Sequence, residues 1–194
     1  FVVVGHNFGA IFLTLDGTGS NPIPLGPCVP GNSPCWSRIN IAGVTPNRFV
    51  MSIVIDETTS PNWIYATYGG FAANNIYVTK DLGVTWIDVS GTGATGLPSV
   101  PIRALEINPV RPDLLYVGTE IGIFASEDGG ATWALPQDGP ANVSVDDLFW
   151  LKGDLVAVTH GRGLYKTANP VFGATLCVPP TFEQCNCYGE WNCP

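Results

Sequence analysis

Apolar and polar residues alternate in short runs along most of the chain. The runs at 50–55, 63–68, 102–107 and 154–159 show the two-residue period and the β-branched and aromatic content of β-strands. Gly, Pro, Asn and Asp separate the runs and are typical of tight turns. No stretch repeats apolar residues at i, i+3, i+4 and i+7 over a helical length. The pattern therefore predicts an all-β chain with almost no helix.

One polar phrase follows two of these runs. Residues 79–86 and 126–133 share the pattern Ser/Thr-x-Asp-x-Gly-x-Thr-Trp, and their aspartates, Asp81 and Asp128, lie 47 residues apart. A hydroxyl and a carboxylate can satisfy the amides of a tight turn, and a glycine can take a positive φ. We therefore predict a structural turn between two strands in each copy. Its residues are Thr79, Asp81, Gly83, Trp86, Ser126, Asp128, Gly130 and Trp133.

The phrase belongs to a longer repeat. Two complete units, 41–90 and 101–135, each contain four predicted strands, and partial units precede and follow them. Four antiparallel strands in a repeat of roughly 45 residues are typical of a β-propeller blade, and tight hairpins disfavour the alternative of a solenoid. We predict that residues 1–170 form about three to four blades with an inserted loop at 18–35, and that residues 171–194 form a Cys-rich tail.

With these two phrases the chain resembles the Asp-box, or BNR-repeat, β-propellers, a superfamily that includes sialidases, sortilin-type receptors and oligoxyloglucan-cleaving glycosidases. The resemblance covers about residues 1–167. It implies that the Asp phrase is a structural turn on the face away from the ligand site. Propellers usually close about four to eight blades into a ring, because an open arc exposes its edges. We therefore expect further blades, from the same protein or from another chain, to complete the ring.

Composition narrows the cellular setting. The net charge is −8 and the few basic residues are scattered, which argues against nucleic acid and anionic membranes as partners. No apolar run is long enough to span a bilayer. The six cysteines favour disulfides in an oxidising compartment, with zinc as a disfavoured alternative because no histidine lies near the tail. They are Cys28, Cys35, Cys177, Cys185, Cys187 and Cys193. We expect a secreted or cell-surface protein without a cofactor or metal.

The resemblance places ligands at the turns between second and third strands, opposite the Asp phrases. The candidate binding residues in those turns are His6, Tyr68, Glu120, His160 and Arg162. His6 and His160 are expected at equivalent positions of their blades. Most strand aromatics are expected to pack between blades.

Catalytic signatures are weak. A glycosidase needs two carboxylates with different pKa values, and nothing in the sequence pairs Glu120 with Asp146 or Asp147. The arginines do not fall in the Arg-Ile-Pro phrase that a sialidase carries. We therefore predict a non-catalytic binding or structural module in an extracellular or cell-surface assembly. Its expected partners are other protein chains or the remaining blades of the same propeller, with carbohydrate as a further candidate. The alternatives are a glycoside hydrolase with catalytic carboxylates largely outside this segment, and peptide capture in the channel.

Overall fold

The computed structural model describes residues 1–15, 36–59, 61–136 and 139–167. The predicted loop at 18–35, the tail at 171–194 and all six cysteines lie outside these residues. The described residues form four antiparallel sheets and no α-helix, which confirms the predicted all-β architecture of blade-like units. Two single 3₁₀ turns occur at Asn7–Gly9 and Gly93–Thr95.

The four sheets follow one another along the chain, and we name them blades 1 to 4. The strands of blades 1 and 2 are β1 (Val2–Gly5), β2 (Ile11–Thr14), β3 (Trp36–Arg38), β4 (Val50–Asp56), β5 (Trp63–Tyr68), β6 (Ile76–Thr79) and β7 (Ile87–Asp88). Those of blades 3 and 4 are β8 (Ile102–Ile107), β9 (Leu115–Thr119), β10 (Gly122–Ser126), β11 (Val145–Leu151), β12 (Asp154–Thr159) and β13 (Gly163–Lys166).

Consecutive blades meet along their first strands. Strand β8 contacts β4 on one side and β11 on the other, so these three strands lie where the blades converge. In blade 3 a single bridge between Ala125 and Ala134 stands in place of a fourth strand. The pairing of β1 with β2 matches that of β5 with β6, so β1 occupies the position of a second strand in blade 1.

The hydrophobic core consists of three clusters, one at each junction between successive blades. Strand β5 shows how the sequence divides between them, because its residues are buried on both faces. Ile64, Ala66 and Tyr68 pack toward blade 1, whereas Tyr65 packs toward blade 3. A strand buried on both faces reads as a nearly continuous apolar run, which explains the sequence of β5.

The two Asp phrases form the same hydrogen-bonded turn. In the turn of Asp128, the Ser126 hydroxyl donates to the carboxylate over 2.8 Å, and the amide and hydroxyl of Thr132 donate to it over 2.8 and 2.7 Å. The turn of Asp81 repeats these bonds with distances of 2.8, 2.8 and 2.6 Å. Partial burial acts to raise the pKa of Asp128, but the bonds from Thr132 and Ser126 hold that pKa below its ordinary value.

Each of these turns also fastens its blade to the preceding one. The indole Nε1 of Trp86 donates to the carbonyl of Ile39 over 2.7 Å, and that of Trp133 donates to the carbonyl of Val89 over 2.9 Å. Ile39 and Val89 are equivalent residues, since each donates its amide to the first residue of the third strand of its blade. The phrase is therefore both a turn and a contact between blades.

Removing the carboxylate of Asp128 tests the contribution of the turn. We expect Asp128→Ala to lower the free energy of unfolding by about 1 kcal/mol, because it leaves the Thr132 amide and two hydroxyls without their acceptor. Asp128→Asn keeps an oxygen at that place and is expected to cost less than half as much. Urea unfolding of both variants measures the difference. Equal losses of stability in Asp128→Ala and Asp128→Asn would show that the hydrogen bonds to the Asp128 carboxylate contribute little.

Candidate functional site

The first strand of blades 2, 3 and 4 carries an irregularity at the same place. The register shifts between Val50 and Ser52, between Ile102 and Ala104, and between Val145 and Asp147, so that one extra residue is inserted in each strand. The extra residues are Met51, Arg103 and Asp146. Bulges re-aim side chains and are frequent beside functional sites. Here they bring one residue from each of three blades to the same end of the inner strands.

A cleft of about 440 Å³ opens at this end. It is lined by residues of blades 1, 2 and 3 and of the segments that join them. These are Phe8, Asn47, Arg48, Phe49, Met51, Gly69, Gly70, Pro101, Arg103 and Glu120. The cleft adjoins the turn between β5 and β6, whereas the Asp turns follow the other end of β6 and its counterparts. The cleft and the Asp turns therefore lie at opposite ends of the strands.

A network of polar and charged side chains links blades 3 and 4 at the same end of the strands. Arg103 donates to Glu120 Oε1 from Nε over 3.0 Å and from Nη2 over 2.6 Å, and its Nε lies 3.6 Å from Asp146 Oδ1. His160 Nδ1 lies 3.2 Å from the other oxygen of Asp146. Partial burial acts to raise the pKa of Asp146, but hydrogen bonds from Ser144 and His160 and the charge of Arg103 hold it below its ordinary value.

A second arginine, Arg48, reaches the cleft from the segment between blades 1 and 2. Its Nη1 donates to Asn75 Oδ1 over 2.6 Å, and its Nη2 donates to the carbonyl and side chain of Asn74 over 2.7 and 3.2 Å. Asn75 is fully buried and joins the loop at Gly70 to the segment at Val100 through its Nδ2 group. The Arg48 guanidinium is therefore held by a rigid support.

Two acidic residues also lie on the inner strands of blades 3 and 4, close enough for the charge of one to act on the other. Glu106 of β8 lies beside Asp147 of β11, on the blade-4 side of its strand. Burial, followed by the negative charge of Asp147, raises the pKa of Glu106 to about 7. Glu106 therefore holds its proton into the neutral range.

The predicted binding residues have different fates. Glu120 lines the cleft, and His160 belongs to the adjacent polar network through its contact with Asp146. Among the described residues, Arg162 donates only to the carbonyl of Ala141, over 3.5 Å. His6 packs edge-on against Phe12 with ring centroids 5.4 Å apart. Neither of these two side chains lines the cleft.

Two expectations need correction. Tyr68 has no exposed surface, because the period of β5 points it into the core between blades 1 and 2, and burial raises the pKa of its hydroxyl. His6 and His160 are not equivalent, because strand pairing aligns His6 with Tyr68 and Thr159, one residue before His160. The two histidines thus occupy different places on their hairpins.

No local pattern in the sequence marks Arg48, Phe49, Met51 and Arg103 as parts of one site. Aligning the first strands of the three units would have placed Met51, Arg103 and Asp146 in one column. Within the residues that the structure describes, no three His, Cys, Asp or Glu side chains are placed to hold a metal ion. The same residues include no helix long and apolar enough to cross a membrane.

Comparison with known proteins supports the fold, and two of the similar structures are named as an extracellular domain and a surface component. No protein-family model matches the chain. An oligoxyloglucan-reducing end-specific xyloglucanase of Emericella nidulans is 28% identical over 127 residues, which make up 60% of this chain and 16% of that protein. The chain therefore spans about one-sixth of the length of this curated relative.

Three solved structures share the fold. The extracellular domain of BT4673 from B. thetaiotaomicron has a TM-score of 0.53 at 20% identity, covering 71% of this chain and 17% of that one. The GH74 xyloglucanase of Xanthomonas campestris has a TM-score of 0.51 at 14% identity, covering 69% and 23%. PorZ, a surface component of the type-IX secretion system of Porphyromonas gingivalis, has a TM-score of 0.53 at 16% identity, covering 87% and 25%. These likenesses support a β-propeller-like fold.

Proposed function

We propose that the chain is part of a secreted, non-catalytic Asp-box β-propeller that binds an extracellular carbohydrate through the cleft. The observation that carries the proposal is the shared bulge, which aims Met51 and Arg103 into one cleft beside Glu120. A concave surface with apolar walls and a few fixed polar groups is the usual form of a ligand site. The cysteine content agrees with secretion.

The comparisons support this proposal in two ways. The named activity of the Emericella nidulans relative is directed at an oligosaccharide. Two fold neighbours are named as an extracellular domain and as a surface component. Because the chain is much shorter than these proteins, we further infer that additional blades complete the ring around its inner strands.

Loss of one apolar wall of the cleft tests the proposed site. We expect Phe49→Ala to weaken binding of an oligosaccharide found on a glycan panel by about tenfold, because the ring contributes more than 1 kcal/mol of contact. Phe49 is 59% exposed in the cleft, so its removal should leave the fold intact. Isothermal titration calorimetry measures the change.

Tyr165 provides the matched control, since it is a partly exposed aromatic residue of β13 that does not line the cleft. Tyr165→Ala should bind as the wild type does. Equal weakening in both variants, or no binding by the wild type across neutral and acidic glycans, would contradict the proposed function.

A second candidate function is glycoside hydrolysis, and the pair of Glu106 and Asp147 favours it. Glycosidases use two carboxyl groups, one of which is an acid with a raised pKa, and Glu106 beside Asp147 has that feature. Incubation with xyloglucan oligosaccharides distinguishes the two functions. Turnover that Glu106→Gln abolishes while cleft binding persists would establish the hydrolase, and absence of turnover would leave the binding module.

A further inference from the structure

Arg48 carries a positive charge that no acidic residue balances in the described part of the chain. All three of its hydrogen bonds go to neutral amide oxygens, of Asn74 and Asn75, and it takes part in none of the ion pairs formed there. By contrast, Arg103 on the same cleft is paired with Glu120. The cleft thus holds one uncompensated cation in a protein whose net charge is −8.

The support beneath Arg48 fixes the direction of this charge. Asn75 is only 1% exposed, and its Nδ2 lies 3.0, 2.7 and 2.7 Å from the carbonyls of Gly70, Ala72 and Val100. Its own amide donates to the Ser90 hydroxyl over 2.9 Å. A guanidinium held in this way loses little conformational entropy when it pairs with an anion, and its planar fork matches a carboxylate.

Phe8 stands at the cleft in a conformation that costs energy. Its φ is 61°, in the left-handed region that a bulky side chain rarely adopts, and its ring is 75% exposed. The next residue, Gly9, sits so close to Pro46 that a Cβ would overlap the Pro46 carbonyl oxygen, and this contact fixes the turn. Strain of this kind persists where the surroundings impose it and is frequent at ligand sites.

We propose that the cleft binds an acidic saccharide, with the carboxylate of a uronic acid unit paired to Arg48 and a sugar ring against Phe8. The proposal rests on the proposed carbohydrate-binding function and specifies its ligand. The fixed cation accounts for the carboxylate, and the exposed ring presents an apolar face of the size that a sugar ring covers. Because the rest of the protein carries a net negative charge, the preference for an acidic over a neutral saccharide depends on Arg48.

The test compares two probes that differ only at their carboxyl groups. Tri-galacturonate and the same trisaccharide with its carboxyl groups reduced to alcohols are titrated into the wild-type chain at low salt. We expect the acidic probe to bind about tenfold more tightly, because the contact between its carboxylate and Arg48 adds the free energy of one charge-assisted hydrogen bond. Arg48→Gln should bind both probes equally.

Arg38→Gln is the matched control, because Arg38 is exposed and lies outside the cleft. Within the described residues, its side chain bonds only to Asn40. This variant should keep the preference for the acidic probe. Equal loss in both arginine variants would assign the preference to net charge and overturn the proposal. Equal binding of both probes by the wild type would overturn it and leave carbohydrate binding standing, whereas binding of neither would overturn both.

Phe8→Gly separates binding from folding if Arg48→Gln proves unstable. Glycine adopts a positive φ freely, so this variant should unfold at a temperature no lower than that of the wild type. It should nevertheless bind tri-galacturonate about tenfold more weakly, through loss of the ring. A stable Phe8→Gly chain with unchanged affinity would overturn the proposed contact.

Discussion

Gly130→Ala is expected to lower the free energy of unfolding by about 3 kcal/mol, whereas Gly129→Ala, one residue earlier, is expected to cost about 1 kcal/mol. Both glycines have a positive φ, of 95° and 71° respectively. Both substitutions therefore carry the backbone cost of that region. Only Gly130 has a crowded environment, since a Cβ there would lie 2.7 Å from the Val89 carbonyl oxygen and 2.8 Å from the Val89 Cβ.

The comparison isolates the contact between blades from the turn itself. Around Gly129 no heavy atom of a neighbour lies within 4 Å of the added carbon, so the two variants differ mainly in packing. Gly83 faces Ile39 as Gly130 faces Val89, and Gly83→Ala should show a loss similar to that of Gly130→Ala. Urea unfolding measures all three. Equal losses at 129 and 130 would mean that the blades separate freely at this contact.

The chain is expected to lose about 2 kcal/mol of stability as the pH rises from 5 to 8, through ionisation of Glu106. The pKa of this group is about 7 in the folded chain and 4.5 in its ordinary state. The folded chain therefore holds the proton over a range in which the unfolded chain has released it. The stability that this provides is complete below pH 4.5 and is lost as the pH rises through about 7. The expected loss of about 2 kcal/mol is smaller than the full pKa shift of Glu106 would give, because solvent screens a partly exposed side chain.

Unfolding in urea at several pH values tests this expectation. Glu106→Gln should flatten the dependence, because the amide does not ionise, and Glu57→Gln, at an exposed glutamate, should leave it unchanged. The difference between each variant and the wild type is the relevant quantity, since burial also raises the pKa of Glu127. A wild-type slope that survives Glu106→Gln would assign the effect to another group.

The strands and the Asp turns could be predicted because their information is local. A two-residue hydrophobic period fixes a strand, and the hydroxyl, carboxylate and glycine of each phrase satisfy one another within eight residues. The turn of Asp128 needs no partner outside 126–132 for its own hydrogen bonds. The fold class follows from repeating such units.

The cleft could not be predicted in the same way, because it depends on register and on how the blades approach each other. One inserted residue in β8 changes which of its side chains reach the surface, and no local pattern marks that insertion. Phe8, Arg48 and Arg103 come from separate segments that only the convergence of the blades brings together. The resemblance implies a binding role for Tyr68 in the turn after β5, but the alternation of side chains along β5 directs Tyr68 into the core.

The tryptophans that join the blades all donate in one direction along the chain. Trp86 reaches back to Ile39, Trp133 to Val89, and Trp150 of β11 to Ile107 of β8 over 2.8 Å. Blades 2, 3 and 4 therefore each close a contact on a neighbour that has been synthesised before them. Synthesis from the N terminus can then add blades one after another onto a finished surface, without waiting for sequence still to come.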